Sequence, residues 1–348
     1  MITDLAALIR DLINIDTTRA AMNEMVAVRY LSRYFRQWNV SHRCFEPFAG
    51  RGSILACIPG EEKESILLLS HLDTENEQAL AGYTPAQAVI TADRVIGRGA
   101  LDCKGNVAVL AQIVKSLRCQ NHRPRKTILF AAVAGEEDGG QTGAKWLIEH
   151  TDVFDRVNLV IGEGGGYPVP CQNQWYFTLQ TGEMGQTRDE THQLSLDPGA
   201  LKADYERAFR QGFFDENTLH YIDTLPTNHY QRHIPVKHFS EGLGKYLEQQ
   251  QNQCQPWTGK KLQHLAVFQR ELESLDPSYR VMPLITPGYS DNRFFRDRGI
   301  ETWGFFPLDP RNNLRGIHGA NEYITIKSLQ LAYTCLSAIL EQLAWRDL

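Results

Sequence analysis

His71 and Asp73 stand two residues apart in Ser70-His71-Leu72-Asp73-Thr74, so on an extended backbone an imidazole and a carboxylate project to the same side. One can ligate a metal ion while the other orients it; a loop histidine beside a solvated aspartate is the plain alternative. Asp102 lies in Gly97-Arg98-Gly99-Ala100-Leu101-Asp102-Cys103-Lys104-Gly105, where glycines permit tight turns before an apolar run. There it either serves a site or caps the following helix. Gly135-Glu136-Glu137-Asp138-Gly139-Gly140 puts three adjacent carboxylates directly after a strand-like run. Buried acids so close together need a cation or a shared proton, whereas a solvated acidic loop needs neither. Glu163 is alone among glycines in Ile161-Gly162-Glu163-Gly164-Gly165-Gly166, and Ile317-His318-Gly319-Ala320-Asn321-Glu322 adds a late histidine. Together His71, Asp102, Glu137, Glu163 and His318 offer two neutral imidazoles and three carboxylates. That is the ligand set of a hydrolytic dinuclear zinc site with one bridging carboxylate.

Such residues need a scaffold that brings them to one edge. Ser65 to Ser70, Thr127 to Val133 and Asn158 to Ile161 are continuous apolar runs of strand length. Val107 to Leu117 and Gly143 to Glu149 carry helical periodicity between them, and Leu5 to Ile13 with Met25 to Phe35 predict two opening helices. Strands alternating with helices define an α/β sheet covered on both faces, and such sheets place ligands where their strands end. From about Thr187 to Arg280 the strand runs give way to charged, Gln-rich and His-rich sequence, read as helical and peripheral. Strand character returns at Thr302 to Phe306, and Leu329, Ala332, Leu336, Leu340 and Leu343 predict a closing helix, so residues 281–348 rejoin the first domain.

The chain has 348 residues, a little over two domains at roughly 150 residues each, which fits one large domain with an insert. Its net charge of −5 provides no field to collect phosphate backbones, so nucleic acid is not an expected partner. No apolar run approaches the roughly 18 residues of a membrane span, and Asp4 and Asp11 interrupt the apolar N-terminus where a signal peptide would carry none. The expected location is cytoplasmic, with no membrane partner. Seven scattered cysteines never form C-x-x-C, which indicates reduced thiols and neither a disulfide framework nor a thiolate zinc site.

The motif order H-L-D-T, G-R-G-x-x-D-x-K-G, G-E-E, G-E-G, S-D-N-R-F-F-R-x-x-G-I and H-G-x-N-E resembles the zinc amidohydrolases that include aminoacylase, carboxypeptidase S and acetylornithine deacetylase. The resemblance runs from Met1 to about Arg188 and from Val281 to Leu348. It implies a zinc-peptidase-like catalytic domain, a three-layer α/β/α sandwich on a mixed, mostly parallel sheet. It makes Asp102 the bridging ligand of two zinc ions, pairs His71 with Glu163 on one and Glu137 with His318 on the other, and lets Asp73 steer His71. Glu136 becomes the general base, taking a proton from a metal-bridging water and later passing it to the leaving nitrogen. The resemblance also implies a cis peptide at Asp102-Cys103. Cobalt or manganese would fit the same ligands.

Such enzymes also insert a dimerisation or lid domain of about a hundred residues carrying a histidine for a neighbouring oxyanion hole. No counterpart is evident here. The expected division is residues 1–187 and 239–348 as the catalytic domain, with a shortened insert over 188–238. A monomer, or a dimer built without the lid, follows from that division. His229 or His233 would serve as substitute oxyanion donor, against the plain reading of solvated surface histidines. Arg293 would clamp a substrate carboxylate bidentately or form a structural ion pair. The function this implies is hydrolysis of an amide bond beside a free carboxylate, in an N-acyl amino acid or short peptide. The alternatives are a single-domain aminopeptidase-like enzyme and a catalytically inactive binding protein of the same fold.

Overall fold

The computed structural model describes residues 2–76, 87–120, 123–171, 174–183, 260–286, 290–319 and 321–346. Contacts divide the chain into two compact units, residues 1–163 with 290–348, and residues 164–289. In the first unit β1 (Ser41–Phe48), β2 (Arg51–Ile58), β6 (Thr127–Val133), β3 (Ser65–His71), β7 (Val157–Gly162) and β11 (Glu301–Gly304) lie side by side in that order. The β1–β2 and β2–β6 pairings are antiparallel, and β6–β3, β3–β7 and β7–β11 are parallel. A small second sheet runs β12 (Tyr323–Thr325), β5 (Arg94–Ile96), β4 (Val89–Ile90), all antiparallel.

Strand alternation sorts the apolar runs into two faces. Leu55, Leu67, Leu69, Leu129, Ala131 and Val133 share one buried cluster with Ala144, Leu147 and Ile148 of α4 (Ala144–His150) and Phe295 of α6 (Asn292–Arg296). Their neighbours Ile66, Leu68, Ile128, Phe130 and Ala132 point the other way and are equally buried. There Phe35 of α2 (Glu24–Gln37) meets Phe130 edge-on, with ring centroids 6.1 Å apart. α3 (Lys104–Arg118) packs on β2, β3 and β6 beneath α1 (Ile2–Ile13) and α7 (Ile326–Trp345). A helix covered on both sides must be apolar nearly all round, which is why Val107 to Val114 is buried without a break. The result is a sheet covered on both faces, as the strand and helix runs imply, and the three-layer α/β/α sandwich with a mixed, mostly parallel sheet that the resemblance implies.

The second unit contains β8 (Pro168–Cys171) and β9 (Gln174–Glu183), paired antiparallel, with β10 (Tyr279–Thr286) parallel to β9. α5 (Lys260–Leu275) packs on β10 and buries Val267, Phe268 and Leu272. The expected insert over 188–238 lies outside the described residues, and His192, His220, His229 and His233 with it. No helix among the described residues is long and apolar enough to cross a membrane.

One buried ion pair ties α2 to the sheet. Nη2 of Arg51 lies 3.2 Å from Oε1 of Glu24 and 3.3 Å from Oδ2 of Asp138. Burial, reinforced by the charge of Asp73, pushes the fully buried Glu24 up to about 7 in spite of Arg51. Arg51→Ala strands that acid and should lower stability by roughly 3–5 kcal/mol in denaturant unfolding. A loss below about 1 kcal/mol would mean that the pair behaves like an exposed one.

Candidate metal centre

Three neighbouring parallel strands deliver the site. β3 ends on His71, β6 runs into Gly135-Glu136-Glu137, and β7 runs into Glu163. In register His71 lies opposite Val133, and Leu68 opposite Ile161, so all three strands end at the same edge of the sheet. Asp102 comes from the loop before α3, and His318 from the loop before β12.

Asp102 stands between the two imidazoles. Its Oδ1 is 3.1 Å from Nε2 of His71, and its Oδ2 is 2.7 Å from Nε2 of His318. Nε2 of His71 also lies 3.5 Å from Oε1 of Glu163, and Nε2 of His318 lies 3.4 Å from Oε1 of Glu137. Two ligand groups therefore share Asp102: His71, Asp102 and Glu163 with Cys103 beside them, and Asp102, Glu137 and His318. A third grouping joins His71 to Glu136 and Glu137. The Asp102-Cys103 peptide is cis, at the place the family resemblance implies.

The structure gives Asp73 more to do than steer His71. Nδ1 of His71 donates to the backbone carbonyl of Asp73 at 2.9 Å, which leaves Nε2 free to face the carboxylates. The Asp73 carboxylate lies farther from that nitrogen, at 3.6 Å, and accepts the amides of Glu136 at 3.1 Å and Glu137 at 2.9 Å. It thereby fixes the backbone of both acids. Gly135, at φ +71, has Arg51 and Thr142 where a Cβ would go, and Gly140, at φ +70, has Asp291 there. The turn thus requires glycine at both ends.

Glu322 does the same for Asp102. Fully buried, it accepts the amides of Leu101 at 2.7 Å and Asp102 at 3.0 Å on Oε1, and on Oε2 the amide of Gly99 and Nη1 of Arg98, both at 3.0 Å. Pairing of β12 with β5 sets this register, Tyr323 opposite Ile96. The H-G-x-N-E motif contained Glu322 without revealing that it grips a loop more than 200 positions earlier. Asp291 is a second residue that motif reading left without a role. It is buried, and neither carboxylate oxygen has a hydrogen-bond partner among the described residues. Arg293 donates from Nη2 to the carbonyl of Gly139 at 2.7 Å and lies over the ring of Phe294.

Electrostatics separates these groups. Burial pushes Glu137 up to about 7 against the hydrogen bond from His318, with the charge of Asp102 adding to the rise. It also carries Glu136 well above the carboxylate range, where the charge of His71 opposes it and Glu163, Asp291 and Glu137 reinforce it. Asp291 rises to about 7 through burial, against Arg293 and His71. Burial opposes ionisation of Asp102 as well, yet hydrogen bonds from His318 and His71 hold it far below its usual value. The histidines answer in kind. Burial works against charge on His318, but hydrogen bonds to Asp102 and Glu137 raise it to about 11. Imidazole and carboxylate donors crowded this closely, with protons serving as the local counter-charge, fit a divalent cation.

A strand-end cluster of histidines and carboxylates on a covered, mostly parallel sheet is the architecture of α/β metal-site proteins. The sequence pattern of peptidase family M20/M25/M40 matches residues 67–342, and the chain belongs to that family. A probable succinyl-diaminopimelate desuccinylase of Staphylococcus aureus (strain Mu50) is 30% identical over 161 residues, which are 46% of this chain. An acetylornithine deacetylase of Buchnera aphidicola subsp. Acyrthosiphon pisum (strain Tuc7) is 30% identical over 135 residues, 38% of this chain and 34% of the relative. The match spans only 39% of the desuccinylase's own length. Among solved structures, human carnosine dipeptidase 1 superposes with a TM-score of 0.60 at 13% identity, covering 97% of this chain and 96% of that one. An M20 family metallo-carboxypeptidase, Sso-CP2 from Sulfolobus solfataricus, gives a TM-score of 0.61 at 12% identity and covers 97% and 98%. At these identities the superpositions establish the fold.

Two outcomes follow from the geometry. Glu322→Gln turns an amide NH2 toward backbone donors, releases the Asp102 loop, and should weaken zinc binding by about 10–100-fold in chelator competition. Unchanged affinity would show that the loop holds itself. Because His318 is raised to about 11, the metal-free site is protonated at neutral pH, and a cation must displace those protons. Zinc affinity should therefore rise between pH 6 and 8, about tenfold per unit for each proton displaced, with proton release visible to an indicator dye. A flat profile would contradict the assigned protonation.

Proposed function

We propose that the protein is a dizinc hydrolase that cleaves an amide bond next to a free carboxylate, in an N-acyl amino acid or short peptide. The observation that carries this reading is Asp102, whose two oxygens face two different histidines, His71 and His318. On this reading His71 and Glu163 would hold one ion, Glu137 and His318 would hold the other, and Asp102 would serve both. When bound, such ions act as Lewis acids and make water nucleophilic near neutral pH.

The remaining work falls to the protein's own groups. Glu136, buried beside the clustered histidines and carboxylates, accepts in its ionised form a proton from the attacking water and returns it to the leaving nitrogen. Asp73 holds Glu136 in place through its amide. Arg293 binds the substrate carboxylate, and His229 supplies a donor to the oxyanion. A shortened insert over 188–238 leaves the site to be completed within one chain. The names of the relatives divide between removal of an acyl group and cleavage of peptides, and the amide bond is common to both.

The test is hydrolysis of N-acetyl amino acids and of dipeptides by zinc-loaded protein, beside Glu136→Gln. That variant keeps the shape of the side chain without its basicity, so it should retain two metal equivalents by elemental analysis and lose about 10²–10⁴-fold in turnover. Full activity in the variant, or a wild type that takes up no metal, overturns the reading. Cleavage only of peptides with a free amino end would favour an aminopeptidase-like enzyme.

A further inference from the structure

We propose that the Cys103 thiol is a fourth protein ligand at the His71 end of the site, making that end a nitrogen, oxygen and sulfur pocket suited to a soft divalent cation of the zinc and cadmium type. This rests on the reading of the cluster as a metal centre. Cys103 is 1% exposed, and one ligand atom from each of His71, Asp102, Cys103 and Glu163 lies within 4.8 Å of every other. Metal–sulfur bonds near 2.3 Å and metal–nitrogen or metal–oxygen bonds near 2.0–2.2 Å place tetrahedral ligands roughly 3.5 Å apart, so the four donors need only a modest contraction to close on one ion.

Cys103 occupies the N-cap position of α3, yet its side chain makes no capping hydrogen bond. Its sulfur hydrogen-bonds with Oγ of Ser70, 2.7 Å away and buried at the end of β3, and interacts with the His71 side chain as well. A hydroxyl so placed donates to a thiolate and orients it toward an ion, as hydrogen-bond partners of metal ligands do. Coordination breaks the S–H bond, forms the sulfur–metal bond and releases the proton to the buffer, with no change of oxidation state. The plain alternative is a small buried apolar residue hydrogen-bonded to serine. The two ends of the site differ on this assignment, since the Asp102, Glu137 and His318 group contains only oxygen and nitrogen. Thiolate ligands favour zinc and cadmium over manganese.

The experiment loads metal-depleted full-length protein with ¹¹³Cd²⁺ and records bound equivalents, the ultraviolet spectrum and the ¹¹³Cd NMR spectrum. Two equivalents, a sulfur-to-cadmium charge-transfer band and one resonance in the sulfur-ligated range are expected from the wild type. Cys103→Ser should remove the band and weaken cadmium binding about tenfold or more while manganese affinity stays within about threefold. Two bound equivalents with no band and both resonances in the nitrogen and oxygen range overturn sulfur ligation and leave the metal centre standing. A band that survives in Cys103→Ser also overturns it, by assigning the sulfur to another cysteine. No cadmium uptake at all overturns the metal reading itself. The wild-type spectra decide the matter even where the variant fails to fold.

Discussion

Like charges that cannot escape one another are the constraint on which this structure depends. Asp102, Glu136, Glu137, Glu163 and Asp291 act electrostatically on one another at the ends of β3, β6 and β7, largely out of water. A buried carboxylate is costly unless paired, and here the near counter-charges are two imidazoles with Arg293 behind them. Burial accordingly raises Glu136, Glu137 and Asp291, while hydrogen bonds to the carboxylates raise the two histidines. A divalent ion satisfies the same groups without protons. That is why the pattern of displaced pKa values and the pattern of ligand geometry describe one demand.

The crowding persists because two other acids are spent on backbone instead of on the site. Asp73 accepts the amides of Glu136 and Glu137, and Glu322 accepts those of Gly99, Leu101 and Asp102. Each buried carboxylate is stabilised by main-chain donors that cannot move away, and each in return fixes a loop that would otherwise fold back from its neighbours' charge. Arg51 extends the same logic one layer outward, holding Asp138 of the acidic turn and Glu24 of α2 together.

Sequence displays the acidic and histidyl residues of the candidate site because strand ends have a signature: a short apolar run followed by a polar residue, often across a glycine. β6 and β7 read that way, β3 runs instead into Ser70-His71, and the buried lengths of all three agree with the apolar runs to within a few residues. β1 does not, since Ser41-His42-Arg43-Cys44 forms an exposed edge strand whose burial alternates irregularly, so neither a continuous run nor a clean period of two marks it. Glu322 and Asp291 were invisible for a different reason. Their roles lie in partners far along the chain, and nothing about an acid in isolation tells whether it will meet a metal, a guanidinium or three amides. Cys103 carries no paired-cysteine signature in sequence, since its neighbours in the fold are residues of other types, His71, Asp102 and Glu163.

The clustered residues differ in how firmly the fold holds them, and that difference has a direction. His71 ends β3 and Glu163 directly follows β7, strands whose side chains form the core on both faces, so moving them means deforming packed sheet. His318 sits on a loop at φ 57, its side chain 52% exposed, and reaches Asp102 only because β12 pairs with β5 nearby. A non-glycine residue in left-handed conformation keeps it only where its surroundings fix it. Here the fixing element is the three-residue strand that also presents Glu322. Register in that short pairing therefore sets two things at once, the position of the Asp102 loop from below and the position of His318 from the solvent side. Asp102, between His71 and His318, is consequently the point at which the large sheet and the small one are coupled.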